Sequence, residues 1–331
     1  MAIDPRLTPA ELDVEGNPLE VILPDDDEID FDLVGEETDE EGGVVIDLEA
    51  DFGSNLAEAI EEGVLNTIGT ELVQAYRDDK MTREPWEKAY IKGLSLLGLN
   101  IEERTQPWSG ASGVFHPILT EAVIKFVADA MMETFPASGP VLTKIIGKED
   151  AERVKQARRV QKDMNYQCTE IMTEYRDEHE QALFHLSVGG SVFKKVYFDQ
   201  QLQRPTVPYI MADDFVVAYG TTDLETCPRA THVRKEWPND LKKKQYSGEY
   251  IQTDIPKPSI EYDDVDEKED EIRGESPSAE KDDRHTMLEI HVDYDLPGFE
   301  DTDEDGESTE IALPYIITME LASRKVLSIY R

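Results

Sequence analysis

Apolar and polar positions are distributed in blocks along the chain, and the blocks divide it. Residues 1–53 set acidic clusters, Asp25-Asp-Asp-Glu28 and Glu36-Glu-Thr-Asp-Glu-Glu41, between apolar triplets such as Val21-Ile-Leu23 and Val44-Val-Ile46. So little apolar surface cannot offset the entropy of ordering, which predicts an extended or disordered arm, solvating or docked on a neighbour. From Ser54 a helical period begins. Leu65, Ile68, Leu72 and Tyr76 form one stripe, ending at Arg77-Asp-Asp-Lys80. Thr82 suits the N-cap of a second helix with Pro85 near its start, Trp86, Tyr90, Leu94 and Leu97 inward and Gly98 at its close. Asp78, Asp79 and Arg83 read as a solvated connection.

A dense loop, helix and turn follow. Pro107, Ser109, Gly110, Ser112 and Gly113 forbid a regular element, so Thr105 to Phe115 is expected as an ordered loop pinned by Trp108. His116 precedes Pro117 and is expected as an N-cap, with Pro117 opening the helix. Leu119, Val123, Phe126 and Ala130, widened by Ile118, Ala122 and Val127, predict one buried face. Pro136 ends that helix, and Pro136 to Pro140 turns the chain into an extended Val141 to Ile146. A long helical region from Glu149 to about Leu186 carries Val154, Ala157, Met164, Cys168, Ile171 and Tyr175 on one stripe, with a possible break near Arg176-Asp177 and a stop at Gly189-Gly190.

Short strands come next. Residues 191–199 read as one strand with Lys194 and Lys195 on opposite faces; Val207 to Met211, Phe215 to Ala218 and Ala230 to Trp237 are further strands. A short helix starts at Pro238 and stops at Gly248. Residues 254–286 are rich in Pro, Asp, Glu, Lys and Ser and read as an acidic mobile insertion. Over 287–331, Leu288, Ile290, Val292 and Tyr294 alternate with Glu289, His291, Asp293 and Asp295, a strand with one wet face, and Ile311 to Met319 and Val326 to Tyr330 complete an antiparallel ribbon. Helices first and strands later predict an α+β class: a mixed core over 54–253, the insertion, and the ribbon.

Charge narrows the function. A net charge of −40 repels phosphate and anionic lipid, against a stand-alone reader of nucleic acid or a membrane-surface protein. Cys168 and Cys227 lack CxxC spacing, the usage of a reducing compartment, and neither a membrane-length apolar run nor a basic, apolar leader is present. Asp301, Asp303 and Asp305 with Gly306 have the first half of an EF-hand loop. Ala312 stands where its bidentate glutamate belongs, so a polar hairpin tip is the preferred reading and a weak ion site the other. Histidines 116, 179, 185, 232, 285 and 291 show no metal-ligand spacing, and Gly147-Lys148 is not a P-loop, since Leu142 replaces its first glycine. No catalytic residue, cofactor or nucleotide motif emerges.

Several strings nevertheless resemble a family. The entry Gly110-Ala-Ser112 to His116-Pro117, the apolar helix and the exit Phe135-Pro136-Ala-Ser-Gly-Pro-Val141 are similar to portal proteins, the head-to-tail connectors of tailed bacteriophages. So are 163–199, 221–250 and the closing LPYIITMELASRKVLSIYR, so that about 54–331 resembles the N-terminal half of such a subunit. The resemblance makes Trp108, Gly110, Ser112, His116, Pro117, Phe135 and Pro136 the family-motif positions, of structural role. It implies part of a wing- and stem-type subunit in a homo-oligomeric ring, typically a dodecamer, at one capsid vertex of the virion, assembled in the host cytoplasm. Double-stranded DNA would pass without sequence-specific binding. The terminase, scaffolding, coat and tail adaptor proteins would be its partners, with no membrane. Such subunits are generally longer, so a continuation past Arg331 is expected. The alternative reading is an acidic metal-dependent phage nuclease or an adaptor protein.

Overall fold

The computed structural model describes residues 53–97, 108–110, 117–199, 202–257, 265, 267–268, 284–301, 308–309 and 311–331. The class is α+β, with helices and antiparallel sheets. Helix α1 spans Glu62–Thr82 and α2 Glu84–Leu96, separated by Arg83 alone. Thr82 therefore closes α1, its hydroxyl bonded to the Asp79 carbonyl, and Arg83 takes the N-cap position expected of Thr82. The turn is not a solvated connection. Asp79 is buried and pairs with Arg229, 2.7 Å away, while the Arg83 guanidinium donates to the carbonyls of Ala212, Asp213 and Phe215 and to the Asp213 carboxylate. One charge pair and one guanidinium thus tie the helical part to the strands.

α3 spans Ile118–Thr134, with Pro117 as its N-cap position, one residue later than expected, because Pro117 adopts φ −79°, ψ 49°, outside the helical basin. Val123 and Val127 are buried against Tyr90, Leu94 and Leu183, with Leu119, Ala130 and Met131 beside them; Val265, within the stretch expected to be an insertion, is buried in the same cluster. The predicted stripe is narrower than its sequence spacing suggested, for Phe126, Ile118 and Ala122 are exposed. α5 spans Tyr175–Gly189 and packs against α3 and α2; Gly190, in the left-handed region at φ +82°, caps it.

α4, Ala151–Tyr166, continues into a π-helical turn over Gln167–Ile171, and the break expected near Arg176 falls at Met172 to Glu174. α4 has no buried residue. Its half-buried positions Val154, Ala157, Gln161 and Asn165 share one face, where the Asn165 side chain accepts from the Val141 N–H at 2.9 Å and donates to its carbonyl at 3.0 Å, and the Thr143 hydroxyl donates to the Ala157 carbonyl. The extended Val141 to Ile146 is thereby laid along α4.

The stretch read as one strand over 191–199 is two, β1 (Val192–Lys194) and β2 (Tyr197–Asp199). They pair antiparallel with β4 (Tyr209–Met211) and β3 (Arg204–Thr206) in separate two-stranded ladders. A five-stranded antiparallel sheet runs in the order β5 (Phe215–Val217), β6 (Arg229–Glu236), β7 (His285–Tyr294), β8 (Leu313–Glu320), β9 (Val326–Tyr330). The ribbon expected over 287–331 is therefore the larger part of a sheet whose other strands come from the preceding segment. On one face α1 lies against β5 and β9, close enough that Gly69 meets the Arg324 carbonyl and Met319. On the other face α6, Pro238–Tyr246, covers one end, with Leu241 and Tyr250 packed on Met287 and Leu327.

Candidate functional site

The uncovered part of that second face is the floor of a cleft of about 1100 Å³. Period-two alternation puts residues i, i+2 and i+4 of each strand on it. The register aligns His232, Glu289, Thr318 and Ser328 in one cross-strand row and Ala230, His291, Ile316 and Tyr330 in the next. Residues 192–199 form one wall, α6 and Tyr250 the other.

The floor is charged and paired. Glu289 is bonded to Lys195, lies 3.3 Å from Arg234 Nη2 and accepts from His291 Nε2 at 3.3 Å. Arg234 continues to Glu236 at 3.2 Å, which also pairs with Lys244 at 3.0 Å, and the Tyr250 hydroxyl sits among all three. Burial disfavours the ionised Glu289, but His291, Arg234 and Lys195 outweigh it, and the carboxyl is held well below the usual range. Burial pushes His232 down to about 4 against the attraction of Glu289, with Lys195 and Arg234 adding to the depression. Burial lowers Lys195, opposed by Glu289. Lys244 is pushed up to about 12, since Tyr250 and Glu236 overcome the cost of burying it, and Tyr250 also rises to about 12 through burial and Glu236. Of the lysine pair, Lys195 enters this network. The floor offers paired ions, with the Thr318 and Ser328 hydroxyls in the same cross-strand row.

The rim is apolar. Val196, Tyr197, Phe198, Leu224 and Trp237 stand more than two-fifths exposed around the mouth. Such a patch on one chain marks a contact surface more often than a lone exposed side chain does.

Of the positions that carry the resemblance, Phe135 and Pro136 follow directly on α3. Phe135 stacks near Tyr175, with ring centroids 6.0 Å apart, and beneath the Arg176 guanidinium. His179 joins the helix exit to the cleft: its Nε2 lies 2.8 Å from the Thr134 hydroxyl and its Nδ1 2.8 Å from Lys194 Nζ, which sits over the Tyr175 ring. Since an ammonium can only donate, Nδ1 accepts, Nε2 carries the proton and the ring is neutral. Burial and Lys194 lower the His179 pKa accordingly. Pro136 begins the turn, its carbonyl accepting from the Gly139 N–H. Trp108 does not pin its loop; its side chain is 69% exposed, beside Gly110 at φ +89°. Ser112 and His116 lie outside the described residues. So do Asp303 and Asp305, while Asp301 closes the base of its loop by accepting from the Thr309 hydroxyl and N–H.

Among the described residues no three His, Cys, Asp or Glu side chains are grouped to hold a metal ion, and no helix is long and apolar enough to cross a membrane. Cys168 and Cys227 are free thiols. The chain matches no family model and no curated protein.

Sequence alternation put His291 on the wet face correctly, its side chain being 50% exposed, but assigned Glu289 to water too, where the structure buries it among cations. The available signal was the placing of charged and histidine side chains at alternate positions, His232 and Arg234 in one strand and Glu289 and His291 in the next.

Proposed function

We propose that this chain is a subunit of a portal ring, acting by assembly and not by catalysis. The observation that carries the reading is the amount of large apolar surface one copy leaves uncovered on different elements. Ile118, Ile124, Phe126 and Met132 stand out from α3, and Val196, Tyr197, Phe198 and Trp237 from the cleft rim. Two unlike faces meeting head to tail make a heterologous contact, and such contacts close into rings when the rotation permits. The resemblance of the strings around Phe135-Pro136, 163–199 and 313–331 to portal proteins supports the same reading, and with it a virion vertex, a DNA conduit and docking of terminase and tail proteins. The acidic balance suits a conduit, for a wall that repels phosphate lets DNA slide.

Negative-stain imaging of the purified chain, with native mass spectrometry for the copy number, tests this. Closed rings of a single copy number are expected. A chain that stays monomeric at tens of micromolar, or that cleaves a plasmid when given magnesium or manganese, overturns the reading.

A further inference from the structure

Lys194, the last residue of β1, heads a chain of hydrogen bonds that the cleft network does not use. Its Nζ lies 2.8 Å from His179 Nδ1 on α5, His179 Nε2 lies 2.8 Å from the Thr134 hydroxyl at the end of α3, and that hydroxyl donates to the Ala130 carbonyl at 2.7 Å. Both ends fix the direction. A carbonyl only accepts, so the Thr134 hydroxyl has committed its proton and accepts from Nε2, which leaves the lone pair of Nδ1 facing Lys194. Tyr175 supports the arrangement, with Lys194 Nζ 4.8 Å from its ring centroid and the His179 ring stacked 6.2 Å away.

Surface lysines elsewhere in the molecule have a different partner. Lys88 and Lys243 donate to the carboxylates of Glu84 and Asp240 at 2.5 and 2.8 Å, and a carboxylate stabilises the ammonium, the form that has no lone pair. A neutral imidazole brings no charge to hold the ammonium, and its free nitrogen takes up a proton near neutral pH. Burial lowers the Lys194 pKa, with Glu178 and Cys168 acting the other way, so its free amine is better populated than that of an ordinary lysine. The side chain is exposed, and a small reagent reaches it. We infer that Lys194 is an acylation site, a nucleophilic amine with His179 as its base, whose substrates are small activated acyl compounds, thioesters or acyl phosphates. The free amine attacks the acyl carbon, and the new C–N bond places a positive charge on nitrogen, which passes a proton to His179 Nδ1. The bond from carbon to the sulfur or phosphate oxygen then breaks, and the departing thiolate or phosphate takes the proton from the imidazolium, directly or through water. Nothing is oxidised or reduced. The amide carries no charge, so acylation removes the cation from the Tyr175 ring and from His179. This holds whether or not copies assemble, since it rests on β1, α3 and α5 of one chain.

Incubation of the full chain at neutral pH with acetyl phosphate or, separately, with S-acetyl-N-acetylcysteamine, a small acetyl thioester, tests this. Peptide mass spectrometry at low conversion gives the rate at each lysine, with Lys88 and Lys243 as internal references. A positioned base contributes roughly 10²–10⁴-fold in a closed site, and His179 is only half-buried, so Lys194 should react about tenfold faster than either reference. His179→Gln keeps an acceptor for the amine but has no basic nitrogen. It should bring Lys194 down to the reference rates while Lys88, Lys243 and the far-ultraviolet circular dichroism stay unchanged. In the wild-type chain, acetylation should raise the pKa of the His179 ring, followed by nuclear magnetic resonance, because the Lys194 charge that helps to lower it is gone. Acceleration with one donor alone upholds the site and identifies the acyl class it takes. Rates at Lys194 no higher than at the references with both donors, a Lys194 rate that His179→Gln leaves intact, or a His179 titration unmoved by acetylation would overturn the inference.

Discussion

At the scale of single residues, Glu289 decides how the sheet face is held. It occupies a position that alternation assigns to water, yet its side chain is only 9% exposed and meets Lys195, Arg234 and His291. Removing one partner of a buried pair leaves the others uncompensated, which costs about 3–5 kcal/mol when burial is complete. Lys195 and Arg234 are about one quarter exposed, so water takes up part of the loss. Glu289→Gln should therefore lower stability by about 2–3 kcal/mol, read from urea unfolding at pH 7. His232, opposite Glu289 in the register and near Lys195, Arg234 and His291, sets a pH dependence. Its folded pKa, about 4, lies below the ordinary 6.5, so between those values the unfolded chain binds a proton that the folded chain refuses. Stability falls as pH drops through this window, by about 2–3 kcal/mol from His232. Glu289 adds slope of the same sign only from about pH 5 downward, because its folded pKa is depressed and its contribution begins to be lost as pH falls through the ordinary carboxylate value. His232→Asn should flatten the dependence of the urea midpoint between pH 7 and 4.5, leaving the smaller slope of the same sign that His179 supplies. An unchanged slope would show that His232 titrates normally.

At the scale of elements, two glycines of α1 separate helix propensity from packing. Gly63 has open space where a Cβ would go, whereas a Cβ on Gly69 would collide with the backbone carbonyl of Arg324, itself at φ +59° in the turn between β8 and β9. A side chain tip could yield; a carbonyl in a tight turn cannot without moving the turn. Gly63→Ala should stabilise by about 0.5–1 kcal/mol through propensity. Gly69→Ala should destabilise by about 1–3 kcal/mol through overpacking, and both are read as shifts in thermal midpoint. This difference is invisible in the sequence, where each glycine is one helical residue among others. What was legible there followed local chemistry: Pro238 opening α6 and Gly190 closing α5 lie where local rules put them. What was not legible depended on contacts distant in sequence. Lys195 leaves the ladder to reach Glu289, which splits the apparent strand 191–199 into β1 and β2, and Arg83 is held between helix and sheet by carbonyls some 130 positions later. Trp108 shows the same limit from the other side, because a tryptophan in a glycine-rich loop predicts an anchor only if something packs on it, and its side chain is exposed.

At the scale of the whole molecule, charge and apolar surface oppose one another in any assembly of copies. Each chain carries −40, of which residues 1–52, with nineteen acids and one arginine, hold −18 and residues 254–286 hold −8. The remaining residues thus account for −14, so about two-thirds of the net charge is carried by those two stretches of the sequence. The apolar contacts proposed to join copies, through the α3 flank and the cleft rim, are not weakened by salt, whereas the repulsion is screened over about 10 Å at 0.1 M and less at higher concentration. Assembly held by apolar faces against charge repulsion must strengthen as salt rises. The assembled fraction, followed by mass photometry at fixed protein concentration, should increase from about 20 mM to about 300 mM sodium chloride. A fraction that falls over this range would mean that copies are joined through unlike charges and that the apolar faces serve another partner.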